Sequence, residues 1–245
     1  MCIRDRPYLA RRLDVAVPEP VALGEPGQGY PFPWSVRRWL DGVPAVQVDD
    51  LDHERFAAEV GAVLRQLRSV PATGGPTAGA HSFHRGEHPS VYDAEVRTAL
   101  DTLGGGGGGS GSGSGSGRTG GTVVDRGACE AVWAEALASR WDGPAVWFHG
   151  DVAPGNLLVD DTGRLCAVID FGTCGVGDPA CDLVLAWTML DGPARRVFRQ
   201  AVDLDDDTWA RARGWALWKA LIMLAGSAGP GGRDEHERVL AAVLA

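Results

Sequence analysis

Apolar residues fall into helical register between residues 52 and 70, where Phe56, Val60, Val63, Leu64 and Leu67 share one face. Asp52 stands just ahead of them and suits an N-cap. Upstream the pattern changes. "VPEPVALGEPGQGYPFPWSVRRWLDG" predicts two short strands, near residues 21–23 and 35–40, with a Pro/Gly-rich loop between them. Downstream, "VYDAEVRTALDTL" and "CEAVWAEALAS" read as helices, and "AVWFHG" as a short apolar strand. "GDPACDLVLAWTMLDG" predicts one helix, capped by Asp178, opened by Pro179 and stopped by Gly192. Three more helices follow: around residues 194–201, from the acids at 205–207 to about Gly226, and over 234–245. The chain after Asp52 is therefore mostly helical, with one strand-rich stretch at residues 145–171.

That stretch contains "NLLV" and "LCAVID", joined by the turn signal "DDTG". In an antiparallel hairpin about that turn, Asn156 at the start of one strand and Asp170 at the end of the other lie close together. Asp151 sits in the loop just before. An amide and two carboxylates thus converge at one open strand end. Magnesium favours such oxygen ligands and keeps places for water and phosphate oxygens. Taken singly, each residue is more simply a cap or a turn residue. The ordered set His-x-Asp-x-x-x-x-Asn, hairpin, Asp-Phe-Gly has the spacing of the kinase catalytic and metal loops.

Composition narrows the function. The formal charge of −9 and a pI near 5.1 argue against a nucleic-acid partner, which requires a basic face. The five cysteines are scattered, with no CxxC pair, so neither a zinc site nor a disulfide framework is expected; reduced thiols in a cytoplasmic protein fit. No run of about 18 uncharged apolar residues suggests a membrane span. "GGGGGGSGSGSGSG", residues 104–117, has almost no side chain to bury and is expected to be a disordered surface-loop expansion spanning roughly 20 Å. The opening "MCIRDR" looks foreign to the protein.

With these residues the chain resembles the aminoglycoside phosphotransferases, part of the kinase-like fold that also holds choline kinase and the macrolide phosphotransferases. "HGDVAPGNLLV" is similar to that family's catalytic loop, "VIDFG" to its metal loop, "GDPACDL" to the helix after it, and "WSVRRWLDG" to the strand and hinge beside the adenine. The resemblance implies an α+β, two-lobed kinase-like fold, represented mostly by the helical C-terminal lobe, with the N-terminal lobe largely missing. Residues 1–41 would be the remnant of that lobe with the hinge, and 42–245 the helical lobe with the catalytic hairpin. It implies transfer of the γ-phosphate of ATP, with Mg2+, to a hydroxyl of a small molecule such as an aminoglycoside-like antibiotic. Asp151 would be the catalytic base, and Asn156 and Asp170 the magnesium ligands. The main chain of Arg38 and Leu40 would meet the adenine edge, and Leu158 would pack beneath the base. His149 would support the loop; Asp178 and Asp182 would be cap and brace. Apart from the small-molecule substrate, no nucleic acid, membrane or protein partner is implied. The alternative is a non-catalytic nucleotide- or ligand-binding module of the same fold, which the intact Asp151, Asn156 and Asp170 disfavour.

Three parts of the family pattern are not found: a glycine-rich phosphate loop, a strand lysine and the helix glutamate that pairs it. About twenty residues precede the first predicted strand, and the only lysine in the chain is Lys219. An arginine would supply the charge, but no strand is expected to present one. The chain is therefore expected to be cut short at its start, to bind Mg–ATP weakly and to transfer phosphate negligibly. Trp187, Trp215 and Trp218, though able to stack on a sugar, are expected to be core.

Overall fold

The computed structural model describes residues 6–104, 124–226 and 232–245. The first five residues and nearly all of the Gly/Ser run at 104–117, to which two expectations above refer, lie outside them. Elements are numbered in chain order. The chain divides into two compact units, Met1–Glu87 with Trp141–Asp205, and His88–Arg140 with Asp206–Ala245.

The first unit holds the short helix α1 (Arg6–Ala10), the antiparallel pair β1 (Pro20–Gly24) and β2 (Trp34–Arg37), strand β3 (Val43–Pro44) and helix α2 (His53–Ser69). It continues with β4 (Val146–Phe148), β5 (Leu157–Val159), β6 (Leu165–Val168), β7 (Gly175–Gly177), the single-turn helix α5 (Leu185–Thr188) and α6 (Gly192–Val202). Asp52 caps α2 as expected, accepting from the Arg55 amide at 3.0 Å. The apolar stripe of α2 buries Phe56, Val60, Leu64 and Leu67, and α2 packs on α6. The approach is close at Gly61, where a Cβ would stand 2.5 Å from that of Ala201.

The "DDTG" hairpin forms as read. Leu157 pairs with Val168 and Leu158 with Ala167, and β3 adds to the outer side of β5 as a third strand. Asp160 Oδ1 closes the turn, accepting from the Thr162 amide and hydroxyl and from the Arg164 amide. Helix α2 grips the hairpin from one side: Arg55 donates to the Thr162 and Gly163 carbonyls, and Glu59 accepts from the Leu165 amide and Arg164. β4 pairs with β7, which extends the strand-rich stretch six residues past its expected end.

Two predicted elements differ. The second strand stops at Arg37 instead of Leu40. The expected helix at 178–191 begins as a 3-10 turn, Pro179–Val184, and becomes α-helical only at Leu185. Gly192 does not stop it; together with Pro193 it opens α6, because a proline in the first turn loses no needed N–H.

The second unit is helical: α3 (Asp93–Gly104), α4 (Arg126–Ala138), α7 (Asp206–Ala225) and α8 (Gly232–Leu244). Tyr92 stacks on Trp218 at 4.1 Å between ring centres and meets Trp215 edge-on. Trp218 donates to Glu95 Oε2 at 2.9 Å. Trp187, Trp215 and Trp218 are all buried, so the core reading of these aromatics holds. Among the described residues no helix is long and apolar enough to cross a membrane, and Cys129, Cys166, Cys174 and Cys181 are free thiols.

Candidate active site

The site is built on the open end of the β5–β6 hairpin. His149, at the end of β4, is only 1% exposed and has every polar group engaged. Its Nε2 lies 2.9 Å from the Ile169 carbonyl and its Nδ1 3.1 Å from the Asp151 amide. A carbonyl only accepts and an amide N–H only donates, so the ring is the neutral tautomer protonated on Nε2. Phe171 lies against it at 4.4 Å. The imidazole thereby ties the loop before β5 to the strand end after β6.

The next two amides converge on one acid. Asp182 Oδ2 accepts from His149 N and Oδ1 from Gly150 N, both at 2.7 Å. Asp182 is 3% exposed. Burial pushes its carboxyl up from the usual range, partly offset by the two amide donors and Arg68. Arg68 itself donates to the Val202 carbonyl at the end of α6. Gly150 has φ +85°, and a Cβ there would lie 2.8 Å from the Thr173 carbonyl oxygen. Only glycine takes that turn against the Thr173 backbone without strain.

Asp151 emerges from this braced turn into solvent. Asn156 Nδ2 donates both to its carbonyl, at 2.9 Å, and to its carboxylate Oδ2, at 3.1 Å. The 3-10 turn Pro154–Asn156 carries the chain from one to the other. With Nδ2 committed twice to Asp151, the side-chain acceptor of Asn156 is Oδ1. The Ile169 amide donates to the Asn156 carbonyl at 2.9 Å, which places Asp170 one residue beyond Asn156's cross-strand partner. Asp170, two residues past β6, takes a left-handed conformation, φ 59°, and starts the turn Phe171–Thr173, whose Gly172 amide it caps at 3.3 Å. The structure thus brings Asp151, Asn156 and Asp170 to one end of the hairpin. An amide oxygen and an exposed carboxylate on adjacent strand ends are a donor set that fits a magnesium ion still bound to phosphate oxygens.

The residues expected around the base lie in the same unit. Leu158 is 5% exposed, one of the buried residues of the three-stranded sheet, between Pro44 and Ala167. Arg38 and Leu40 follow β2. The Arg38 amide donates to the Glu19 carbonyl at 2.9 Å. Asp178 caps the Ala180 amide.

One residue was not singled out by the sequence reading: Arg37, the last residue of β2, opposite Pro20. Its Nη1 and Nη2 are sealed from solvent with no hydrogen-bond acceptor among the described residues. The available signal was the alternation Trp34-Ser35-Val36-Arg37. Apolar alternation suggests that Trp34 and Val36 face inward, yet they are 45% and 50% exposed while Ser35 and Arg37 are half-buried.

The phosphotransferase enzyme family (APH) matches this chain over residues 6–215, and the chain belongs to that family. Among solved structures, the macrolide 2'-phosphotransferase MphH from Brachybacterium faecium is 24% identical, with a TM-score of 0.54 over 98% of this chain and 77% of that one. The GDP and kanamycin complex of the aminoglycoside phosphotransferase APH(2")-IIia is 14% identical, with a TM-score of 0.60 over 98% and 80%. These likenesses show the kinase-like α+β fold. A protein of Bacillus subtilis (strain 168), YcbJ, is 39% identical over 49 residues, 20% of this chain and 16% of that protein.

Proposed function

We propose that this chain transfers the terminal phosphoryl group of ATP to a hydroxyl of a small molecule, and that its acceptor is an antibiotic of aminoglycoside or macrolide type. The observation that carries the reading is the double hydrogen bond from Asn156 to Asp151, on a turn braced by Asp182 and His149. Such a lock holds a carboxylate in one place, as a group that receives a proton from an attacking hydroxyl must be held. The proposal takes residues 1–41 as the nucleotide-side segment ending in the hinge, and 42–245 as the helical lobe with the catalytic hairpin. Free thiols at the four described cysteines accord with a cytoplasmic setting.

In this mechanism the Arg38 carbonyl and the Leu40 main chain receive the adenine edge, and Leu158 lies under the ring. Asn156 Oδ1 and Asp170 would hold Mg2+. Held by those two residues, Mg2+ would supply positive charge to offset the negative charge that builds on the transferring phosphoryl group. Asp151 orients the acceptor hydroxyl and takes its proton. Little covalent work falls to the protein, since phosphoryl transfer depends mainly on positioning and charge. The structural neighbours suggest the acceptor class: one is a macrolide 2'-phosphotransferase and another is a complex with GDP and kanamycin.

The test is phosphorus NMR of protein at high concentration with Mg–ATP and kanamycin or a macrolide. Wild type is expected to form a phosphate ester only slowly, in keeping with the weak Mg–ATP binding and low transfer expected from the sequence. Asp151→Asn, which keeps shape but not the proton acceptor, is expected to lose about 10²–10⁴-fold in kcat with nucleotide affinity retained. Equal rates in a folded Asp151→Asn protein would remove Asp151 from this role.

A further inference from the structure

Arg37 is a charge with nothing described to bind it. It ends β2 on the half-buried face shared with Ser35, while Val36 and Trp34 lie on the exposed one. Both terminal nitrogens of its guanidinium are closed to water and meet no acceptor among the described residues. A buried, unpaired guanidinium is costly, and proteins hold one in place where an anion completes it. Desolvation weakens its hold on its proton, while Asp170 is the first of the charges that restore it, so Arg37 stands within electrostatic reach of the proposed metal ligand. Asp170 already turns one carboxylate oxygen to the Gly172 amide. The side chain therefore ends the strand that runs into Arg38 and Leu40, with its terminal donors unfilled. That is the place of a nucleotide's phosphates if the hinge takes the base and Asp170 the metal. A guanidinium offers two parallel donors to paired phosphate oxygens, which suits it to this position better than a point charge. The chain's single lysine, Lys219, is on α7 in the other unit.

We infer that Arg37 is the phosphate-gripping cation of this chain, donating through Nη1 and Nη2 to the α- and β-phosphates of the nucleotide. This rests on the nucleotide reading of the site.

Calorimetric titration with Mg–ADP, magnesium pyrophosphate and adenosine tests it on the wild-type chain, Arg37→Met and Arg37→Lys. Methionine keeps much of the aliphatic stem and removes the charge. Loss of the forked contact is expected to weaken ADP and pyrophosphate by about 10–100-fold and to leave adenosine unchanged. Lysine is expected to fall between. Because the substitution removes an unpaired buried charge, Arg37→Met without ligand is expected to melt at or above the wild-type temperature, and its stabilisation by ADP to shrink. Wild-type ADP affinity in Arg37→Met would overturn the inference and leave the proposed function standing. So would a parallel loss of adenosine binding, which would make Arg37 a prop for the hinge. Failure of the wild-type chain to bind either ADP or pyrophosphate would overturn the nucleotide reading and this inference with it.

Discussion

Replacing Asp182 by asparagine changes one oxygen to an NH2 group and leaves the shape intact. In the native turn its two oxygens each accept one buried amide at 2.7 Å. Asparagine can accept only one of them and sets its NH2 against the other. That orphaned amide costs about 1–3 kcal/mol. The remaining bond changes from charge-assisted to neutral, a loss of about 1 kcal/mol. Against this, a buried charge is removed, which returns about 1 kcal/mol at neutral pH. The net expectation is a loss of about 1–3 kcal/mol at pH 7. The pH dependence has a definite sign. Burial raises the Asp182 carboxyl in the folded state. The folded chain therefore holds this proton more tightly than the unfolded chain. Its contribution to stability is full below the unfolded value, near 4, and is lost as pH rises through the folded value. Wild type should exceed Asp182→Asn by most in acid, and the gap should narrow toward neutrality. Urea titrations of both proteins across pH 4.5–7.5, followed by circular dichroism, measure it. A gap that widens with rising pH would mean that the two amides outweigh burial and hold the carboxyl low. A gap of zero throughout would mean that the turn is held by something else. Because His149 and Gly150 lead directly into Asp151, the same variant is expected to lower kcat more than it weakens ADP binding.

Gly150→Ala is expected to cost about 2 kcal/mol or more and to lower turnover, since a Cβ at φ +85° would press on the Thr173 carbonyl; thermal melts and single-turnover rates check it, and an unaffected variant would show that the turn is slack. Burial pushes the Cys129 thiol up to about 11 and Cys181 well above its usual value, so both are expected to resist thiol-directed reagents at pH 8 in the folded protein and to react in urea, as read by mass-spectrometric mapping.

The hairpin and its three polar residues were legible because two local rules fix them. The "DDTG" turn sets the register, and period-two pairing then brings residues 156 and 170 to one end. The helices were legible through their stripes and caps, with α2 found to within a residue of each end. The failures share a cause. Gly192 follows an apolar run and so resembles a stop, but the 3-10 turn at Pro179–Val184 had already changed the phase, and the pair Gly192-Pro193 starts α6 instead. The pairing of Val43–Pro44 with β5 is a tertiary event that a two-residue strand cannot announce. Arg37 was missed because β2 inverts the usual pattern, with Trp34 and Val36 outward and polar residues inward. Alternation shows that a strand has two faces; it does not say which face a binding site occupies. Asp182 was read as a brace from its place in "GDPACDL", but its two amide partners, 32 and 33 residues earlier in the chain, are visible only in the fold.

The central claim is a division of labour at the hairpin end: Asn156 and Asp170 hold the metal on the nucleotide, and Asp151 handles the proton. Calorimetric titration of ADP with magnesium and with EDTA, on wild type, Asp170→Ala and Asp151→Asn, tests it most directly. The account predicts that magnesium tightens ADP binding at least tenfold in wild type and in Asp151→Asn, and that Asp170→Ala abolishes the difference. ADP binding that ignores magnesium in wild type, or a magnesium effect that survives in Asp170→Ala, would contradict it.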